Sequence, residues 1–104
     1  MKEYTGYAVE QACALLAIDS PTGFTARAAD YVMRTLRALG LSPALTRKGG
    51  VLCCLDPEAP EEGALLLEAH VDTLGGMVTQ ITGEGRLKLT NLGGMNPNNA
   101  EAEN

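Results

Sequence analysis

A run of apolar residues that ends in charged ones, at residues 64–72, constrains the fold of this chain more than any other segment. The three consecutive leucines at residues 65–67 are typical of a strand buried on both faces, as strands of parallel sheets are. Open α/β sheets bind ligands at the carboxyl ends of such strands, which is where His70 and Asp72 would lie. Because side chains two residues apart in a strand share a face, Glu68, His70 and Asp72 could project to one side. The segment therefore predicts a sheet strand with a candidate site at its end.

His70 is the only histidine among the 104 residues. A histidine with a carboxylate two residues on suits metal binding, since one of the pair can ligate while the other orients the imidazole through its second nitrogen. The pattern alone is weak, because short motifs match by chance and a catalytic metal needs about three or four protein ligands. The other candidate ligands are carboxylates and three cysteines, none at a convincing spacing. A hydrogen-bonded or exposed histidine without a metal is the alternative interpretation.

Composition and charge limit the class of protein. The chain is long enough for one small domain with a core, and its 45% hydrophobic and 20% charged residues are typical of an ordered globular protein. The formal net charge of −5 argues against a nucleic acid partner, because phosphate binding requires clustered Lys and Arg. No segment has the length of a membrane span or the core of a signal peptide, so we expect no membrane partner. We expect a cytoplasmic protein whose three cysteines are free, buried thiols.

The pattern along the chain predicts helices first and strands afterwards. Apolar residues recur at helical spacing in residues 5–18 and 25–39, with Pro21 between the two segments and Gly40 after the second. Five segments have strand patterns: residues 41–46, 51–55, 64–72, 77–82 and 86–90. This order predicts an α/β fold in which two N-terminal helices pack on a mixed sheet, followed by a C-terminal β-hairpin.

Residues 68–78 resemble the metal-ligand strand of the M42 family of metallo-aminopeptidases, often called glutamyl aminopeptidases and historically endoglucanases. Three further segments resemble that family in the same order. Residues 20–24 are similar to the turn that joins its first two helices, residues 49–51 to its glycine turn into a strand, and residues 92–97 to its Gly-Gly segment. The resemblance therefore extends over nearly the whole chain.

This resemblance implies a catalytic α/β domain with two metal ions, zinc or cobalt, and a smaller β-rich dimerisation domain inserted into it. It implies His70 as a ligand of one metal and Asp72 as the carboxylate of the catalytic site that orients this imidazole, while Glu68 receives no role. Residues 1–75 would belong to the N-terminal part of the catalytic domain. Residues 76–104, with the hairpin, would be the incomplete start of the inserted domain. For the full-length parent the resemblance implies a peptide substrate and a homo-oligomer.

In the family, the bridging aspartate, the general-base glutamate and the other metal ligands lie further along the chain than these 104 residues. We therefore expect a truncated N-terminal portion of a co-catalytic aminopeptidase that is inactive by itself. Two alternatives are open. The related M20 family of metallopeptidases and deacylases also carries His-x-Asp-Thr on such a strand, and Thr73 favours it, whereas residues 77–78 and 93–94 favour M42. The other alternative is a non-catalytic assembly module derived from this fold, because exposed strand edges recruit partners.

Overall fold

The computed structural model of the protein describes residues 2–60, 62–96 and 98, and these form two helices and two small antiparallel sheets. The elements in chain order are α1 Lys2–Leu16, α2 Ala26–Ala38, β1 Ala44–Leu45, β2 Val51–Leu52, β3 Gly75–Ile81 and β4 Leu87–Leu92. Strand β1 pairs with β2, and β3 pairs with β4. The combination of helices and strands, both predicted helices and the hairpin near the end of the chain are therefore confirmed.

The predicted central strand at residues 64–72 is not among the strands that the described residues form. Leu65, Leu66 and Leu67 are 82%, 72% and 77% exposed, the opposite of the expected burial. An apolar run becomes a buried strand only where neighbouring strands supply hydrogen bonds and packing. The described part of the chain places no strand alongside this segment. The predictions of a central strand and of a single mixed sheet are therefore wrong for the described residues.

Helix α2 follows from its sequence because small and apolar residues recur on one of its faces. Ala28, Ala29 and Met33 are all buried, and their spacing places them on the same side of the helix. The helix ends as expected, since Gly40 has φ of +82°, a conformation that glycine adopts without steric cost. The N–H of Gly40 donates to the carbonyl of Arg37 at 2.9 Å. Within the described ranges, neither helix is long and apolar enough to cross a membrane.

The described residues share very little core. The buried ones are Ser20, Ala28, Ala29, Met33 and Pro43. The radius of gyration is 18.1 Å, whereas a globular domain of 100 residues has about 13 Å. Helix α1 is connected to α2 by a hydrogen bond of 2.8 Å from the hydroxyl of Tyr31 to Oε1 of Gln11. The core that the chain length allows is therefore not built by these elements alone.

The hairpin of β3 and β4 returns the chain to the point where the hairpin begins. Gly75 at the start of β3 lies opposite Leu92 at the end of β4, and Ile81 lies opposite Leu87 next to the turn. A hydrogen bond of 2.8 Å from the N–H of Thr82 to the carbonyl of Arg86 closes that turn. Because of this register, the residues after β4 lie beside the residues before β3.

The cysteines are free, as expected, but they are not buried. Cys13 and Cys54 are exposed and Cys53 is partly exposed. The expectation of buried thiols is wrong, because the face of α1 and the end of β2 that carry these side chains are not covered.

Two predictions concern residues outside those that the structure describes. The Gly-Gly segment was expected to extend to residue 97, and the second domain to residue 104. Residues 97 and 99–104 lie outside the described ranges.

Candidate metal-ligand site

The turn between α1 and α2 is hydrogen-bonded to the segment that follows His70. Pro21 and Thr73 form a parallel β-bridge. The N–H of Thr73 donates to the carbonyl of Ser20 at 2.7 Å, and the N–H of Thr22 donates to the carbonyl of Thr73 at 3.3 Å. In a parallel bridge the residues on either side of the bridged one make these bonds, so the missing N–H of Pro21 costs no hydrogen bond. The bridge therefore holds the turn against residues 70–74, the site segment, which carries the candidate site.

The imidazole of His70 points back to Asp72, whose two acceptors face the same ring nitrogen. Nδ1 of His70 lies 3.1 Å from Oδ1 of Asp72 and 2.9 Å from its backbone carbonyl oxygen. Neither an ionised carboxylate nor a carbonyl has a proton to donate, so Nδ1 carries the proton of the neutral ring. Nε2 is then unprotonated, with its lone pair free for a ligand. The His70 side chain is 84% exposed, which leaves that nitrogen accessible.

The carboxylate of Asp72 is bound on its other side by a residue from the turn. The hydroxyl of Thr22 donates to Oδ2 of Asp72 at 2.8 Å. This hydrogen bond is the main reason that the pKa of Asp72 lies below its ordinary value. Some desolvation raises the pKa, while the hydrogen bond and the charge of His70 lower it further. Asp72 therefore stays ionised over a wider pH range and accepts hydrogen bonds on both oxygens.

The structure brings together two of the three side chains that the strand pattern placed on one face. His70 and Asp72 are in contact, whereas Glu68 takes no part in the hydrogen bonds between them. Thr22 was not predicted as part of the site. Its turn was singled out, but the hydroxyl lies 50 residues from its acceptor, and no local spacing predicts such a contact.

Two glycines give the space in which the turn, the site segment and the hairpin meet. A Cβ on Gly75 would lie 2.8 Å from Cβ of Pro21, closer than such atoms approach in proteins. Gly93, the residue after β4, has φ of +72°, and a Cβ there would lie 3.4 Å from Oγ1 of Thr22 and 3.3 Å from Cδ2 of Leu74. Both close approaches depend on the absence of a side chain.

A cavity of about 680 Å³ lies beside the His70–Asp72 pair. Its walls come from the last turns of α1, the site segment and the residues after β4: Ala12, Leu15, Leu16, Thr22, His70, Val71, Asp72, Thr73, Leu74, Gly93 and Gly94. The volume is within the range of small-molecule sites, about 300–1,000 Å³. Its polar side chains are those of Thr22, His70, Asp72 and Thr73, and most of the lining is apolar.

The residues present fit one ligand of a metal centre and not a complete centre. Nε2 of His70 has the lone pair, the accessibility and the carboxylate partner of a ligating imidazole. A zinc site takes about three or four protein ligands. Residues 2–60, 62–96 and 98 contain no group of three or more His, Cys, Asp or Glu side chains arranged to hold a metal ion. The other ligands of such a centre would have to come from outside this set.

An imidazole fixed by a carboxylate, next to a cavity, is the arrangement typical of histidine ligands in metalloenzymes. Residues 49–104 match the model of the M42 glutamyl aminopeptidase family. The chain belongs to this family, which confirms the M42 resemblance and leaves the M20 alternative without support.

Two curated relatives are similar to most of this chain. It is 38% identical over 89 residues to "Putative aminopeptidase YhfE" of Bacillus subtilis (strain 168), covering 86% of this chain and 25% of the relative. It is 30% identical over 84 residues to "Glutamyl aminopeptidase" of Lactococcus lactis subsp. cremoris (strain MG1363), covering 81% of this chain and 24% of the relative. The chain thus spans about a quarter of the length of these relatives.

Proposed function

We propose that this chain contributes one metal ligand, His70, and its orienting carboxylate, Asp72, to the active site of an aminopeptidase that removes N-terminal residues from peptides. The observation that carries the proposal is the contact of Nδ1 of His70 with two acceptors of Asp72, which leaves Nε2 unprotonated. Membership of the M42 family and the names of the two relatives support the reaction class.

In this proposal each side chain has a separate task. When bound, two divalent cations, zinc or cobalt, would supply Lewis acidity and an activated water. His70 would hold one of them through Nε2. Asp72 would hold the proton of the ring on Nδ1, fix the direction of the ring and raise the basicity of the ligating nitrogen. The apolar cavity beside the pair offers room for part of a peptide.

We propose that the 104 residues do not catalyse the reaction by themselves. A single imidazole does not hold a catalytic metal, and the described residues provide no further cluster of ligands. The comparison with relatives of which this chain covers only about a quarter supports the same view. The complete site would then require ligands from polypeptide beyond these residues.

The proposed organisation keeps residues 1–75 as part of the catalytic domain and residues 76–104 as the start of a dimerisation domain. The side chains of β3 and β4 are exposed along nearly their whole length, which supports a hairpin that packs against other polypeptide. We propose a homo-oligomer for the full-length protein on this basis. We also propose a cytoplasmic location, which the three free cysteines support. The same exposed hairpin favours the second candidate function, a non-catalytic assembly module.

The proposed function is tested with a chimera in which this chain replaces the aligned quarter of the Bacillus subtilis relative. We expect the chimera to hydrolyse N-terminal residues from peptides in the presence of zinc or cobalt. His70→Ala should abolish activity and lower the bound metal, and Asp72→Asn should reduce activity or metal affinity about 10- to 100-fold. Lys88→Gln, on the hairpin, serves as the control and should leave both unchanged.

Two results would contradict the proposal. A His70→Ala chimera with unchanged activity and metal content would exclude His70 as a ligand. Tight stoichiometric zinc binding by the 104 residues alone would exclude the incomplete site, and would be detected by calorimetric titration. An assembly module would instead give a chimera that is folded and oligomeric but inactive with His70 intact.

A further inference from the structure

The hydroxyl of Thr22 connects the turn between the helices to the candidate metal ligand. It donates to Oδ2 of Asp72 at 2.8 Å, while Oδ1 of the same carboxylate lies 3.1 Å from Nδ1 of His70. Each carboxylate oxygen therefore has its own donor. The three side chains form one chain of hydrogen bonds that ends at the imidazole.

A carboxylate with a single partner can rotate, because the last torsion of an aspartate side chain has a broad energy profile. The Asp72 side chain is 39% exposed, so packing does not immobilise it. A second hydrogen bond to the opposite oxygen fixes the plane of the carboxylate. The hydroxyl of Thr22 makes that second bond.

We propose that Thr22 is a positioning residue that fixes the plane of the Asp72 carboxylate and thereby keeps His70 in the tautomer with Nε2 unprotonated. The consequence for metal binding rests on the function proposed for His70, but the effect on the tautomer does not. The backbone carbonyl of Asp72 also accepts from Nδ1, at 2.9 Å. Loss of the Thr22 hydroxyl should therefore shift the balance between the two tautomers without reversing it completely.

The backbone of Thr22 is held in place without the help of its hydroxyl. Its N–H donates to the carbonyl of Thr73, next to the β-bridge of Pro21. On its other side, a Cβ on Gly93 would lie 3.4 Å from Oγ1 of Thr22, so the glycine keeps the hydroxyl uncrowded. The hydroxyl is thus placed by the backbone before it meets Asp72, as expected for a group that orients another.

The chain offers a direct measurement, because its single histidine gives one set of imidazole ¹⁵N signals. The tautomer of His70 is measured by NMR on the full 104-residue chain without metal, at a pH where the ring is neutral. We expect the proton on Nδ1. Thr22→Val and Thr22→Ala, which lack the hydroxyl, should lower the ratio of the Nδ1–H to the Nε2–H tautomer by roughly two- to tenfold, the range that one hydrogen bond corresponds to.

Two controls separate the hydroxyl from general effects on the turn. Thr22→Ser keeps the hydroxyl and should restore the ratio. Thr25 lies in the same loop, and its side chain makes no cap bond to α2. Thr25→Val should therefore leave the tautomer ratio unchanged. The amide signals of β3 and β4 show in each variant that the hairpin is still paired.

Three outcomes would overturn the proposal. The first is a neutral His70 without an excess of the Nδ1–H tautomer in the unaltered chain. The second is an unchanged ratio in either hydroxyl-free variant that keeps the hairpin. The third is a shift of equal size in Thr25→Val. The NMR measurement uses no metal, so the two proposals can fail separately. An active His70→Ala chimera would refute the proposed function but not the effect of Thr22 on the tautomer. An unchanged tautomer ratio in the Thr22 variants would refute only the role of Thr22.

Discussion

Pro21 and Gly75 approach so closely that a Cβ on Gly75 would lie 2.8 Å from Cβ of Pro21. The proline ring is stiff, so it cannot move aside as the end of a long side chain would. Gly75 is also the first residue of β3 and follows the β-bridge of Pro21 and Thr73. The contact therefore sets how near the turn can lie to the site segment.

Gly75→Ala should separate the turn from the site segment. We expect the overpacked contact to cost about 1–3 kcal/mol of local stability. The measurement is amide hydrogen exchange at Thr73, whose N–H donates to the carbonyl of Ser20 and should exchange faster. Gly76→Ala is the matched control, because its nearest atoms lie at an ordinary 3.7 Å. Equal exchange rates in Gly75→Ala and Gly76→Ala would show that the contact of Gly75 with Pro21 does not set how near the turn lies to the site segment.

Local patterns predicted the helices and the hairpin well. Helix α2 was expected at residues 25–39 and extends over Ala26–Ala38, because its periodicity and Gly40 act within the segment. Helix α1 was expected at residues 5–18 but occupies Lys2–Leu16. Its start therefore precedes residue 5. The strand expected at residues 64–72 depends on neighbours that the described part of the chain lacks, and an apolar pattern cannot supply them.

Gly93→Ala should disturb the site from the side of the hairpin. An alanine at φ of +72° is strained by about 1–2 kcal/mol, and its Cβ would press on Oγ1 of Thr22 and on Leu74. We expect weaker binding of the Thr22 hydroxyl to Asp72 and the same direction of tautomer change as in Thr22→Val, measured by ¹⁵N NMR of the imidazole. Gly94→Ala, where a Cβ would meet open space, should have no such effect. A tautomer change in Gly94→Ala as large as in Gly93→Ala would contradict this explanation.

Ser20→Ala should be neutral or stabilising, which is unusual for a change at a buried position. Ser20 is 1% exposed, and its hydroxyl has no hydrogen-bond partner among the residues that the structure describes. A buried hydroxyl without a partner costs about 1–3 kcal/mol, and its removal leaves the backbone bond from Thr73 intact. Hydrogen exchange at Thr73 should be unchanged or slower. The exposed Ser42→Ala is the control, and clearly faster exchange in Ser20→Ala alone would show that the hydroxyl has a stabilising partner.

The site could be predicted from sequence only where its residues are close in the chain. His70 and Asp72 are two residues apart, so the known behaviour of such pairs was sufficient to propose their contact, although the strand expected there is not formed. Thr22 approaches them only because the turn is bonded to Thr73. That contact depends on tertiary structure, and the room that Gly93 leaves for it is visible only once the hairpin register is known.

Acid should weaken the contact between the turn and the site segment, in a way that depends on Asp72. Its pKa is lowered in the folded chain, chiefly by the hydroxyl of Thr22. A carboxyl whose pKa is lower folded than unfolded stabilises the folded form above the unfolded pKa, and this contribution is lost as the pH falls through the folded pKa. We therefore expect exchange at Thr73, corrected for its intrinsic pH dependence, to gain relative protection above the ordinary aspartate range and to lose it below.

The same carboxyl can be followed directly by ¹³C NMR during an acid titration. Thr22→Val should raise the pKa of Asp72 towards its ordinary value, because the largest of the interactions that lower it is gone. Thr22→Ser should keep the pKa low, and Thr25→Val should not change it. Since the hydrogen bond and the charge of His70 also lower the pKa, His70→Gln should raise it as well. An unchanged pKa of Asp72 in Thr22→Val would mean that the hydroxyl of Thr22 is not the main partner of this carboxylate.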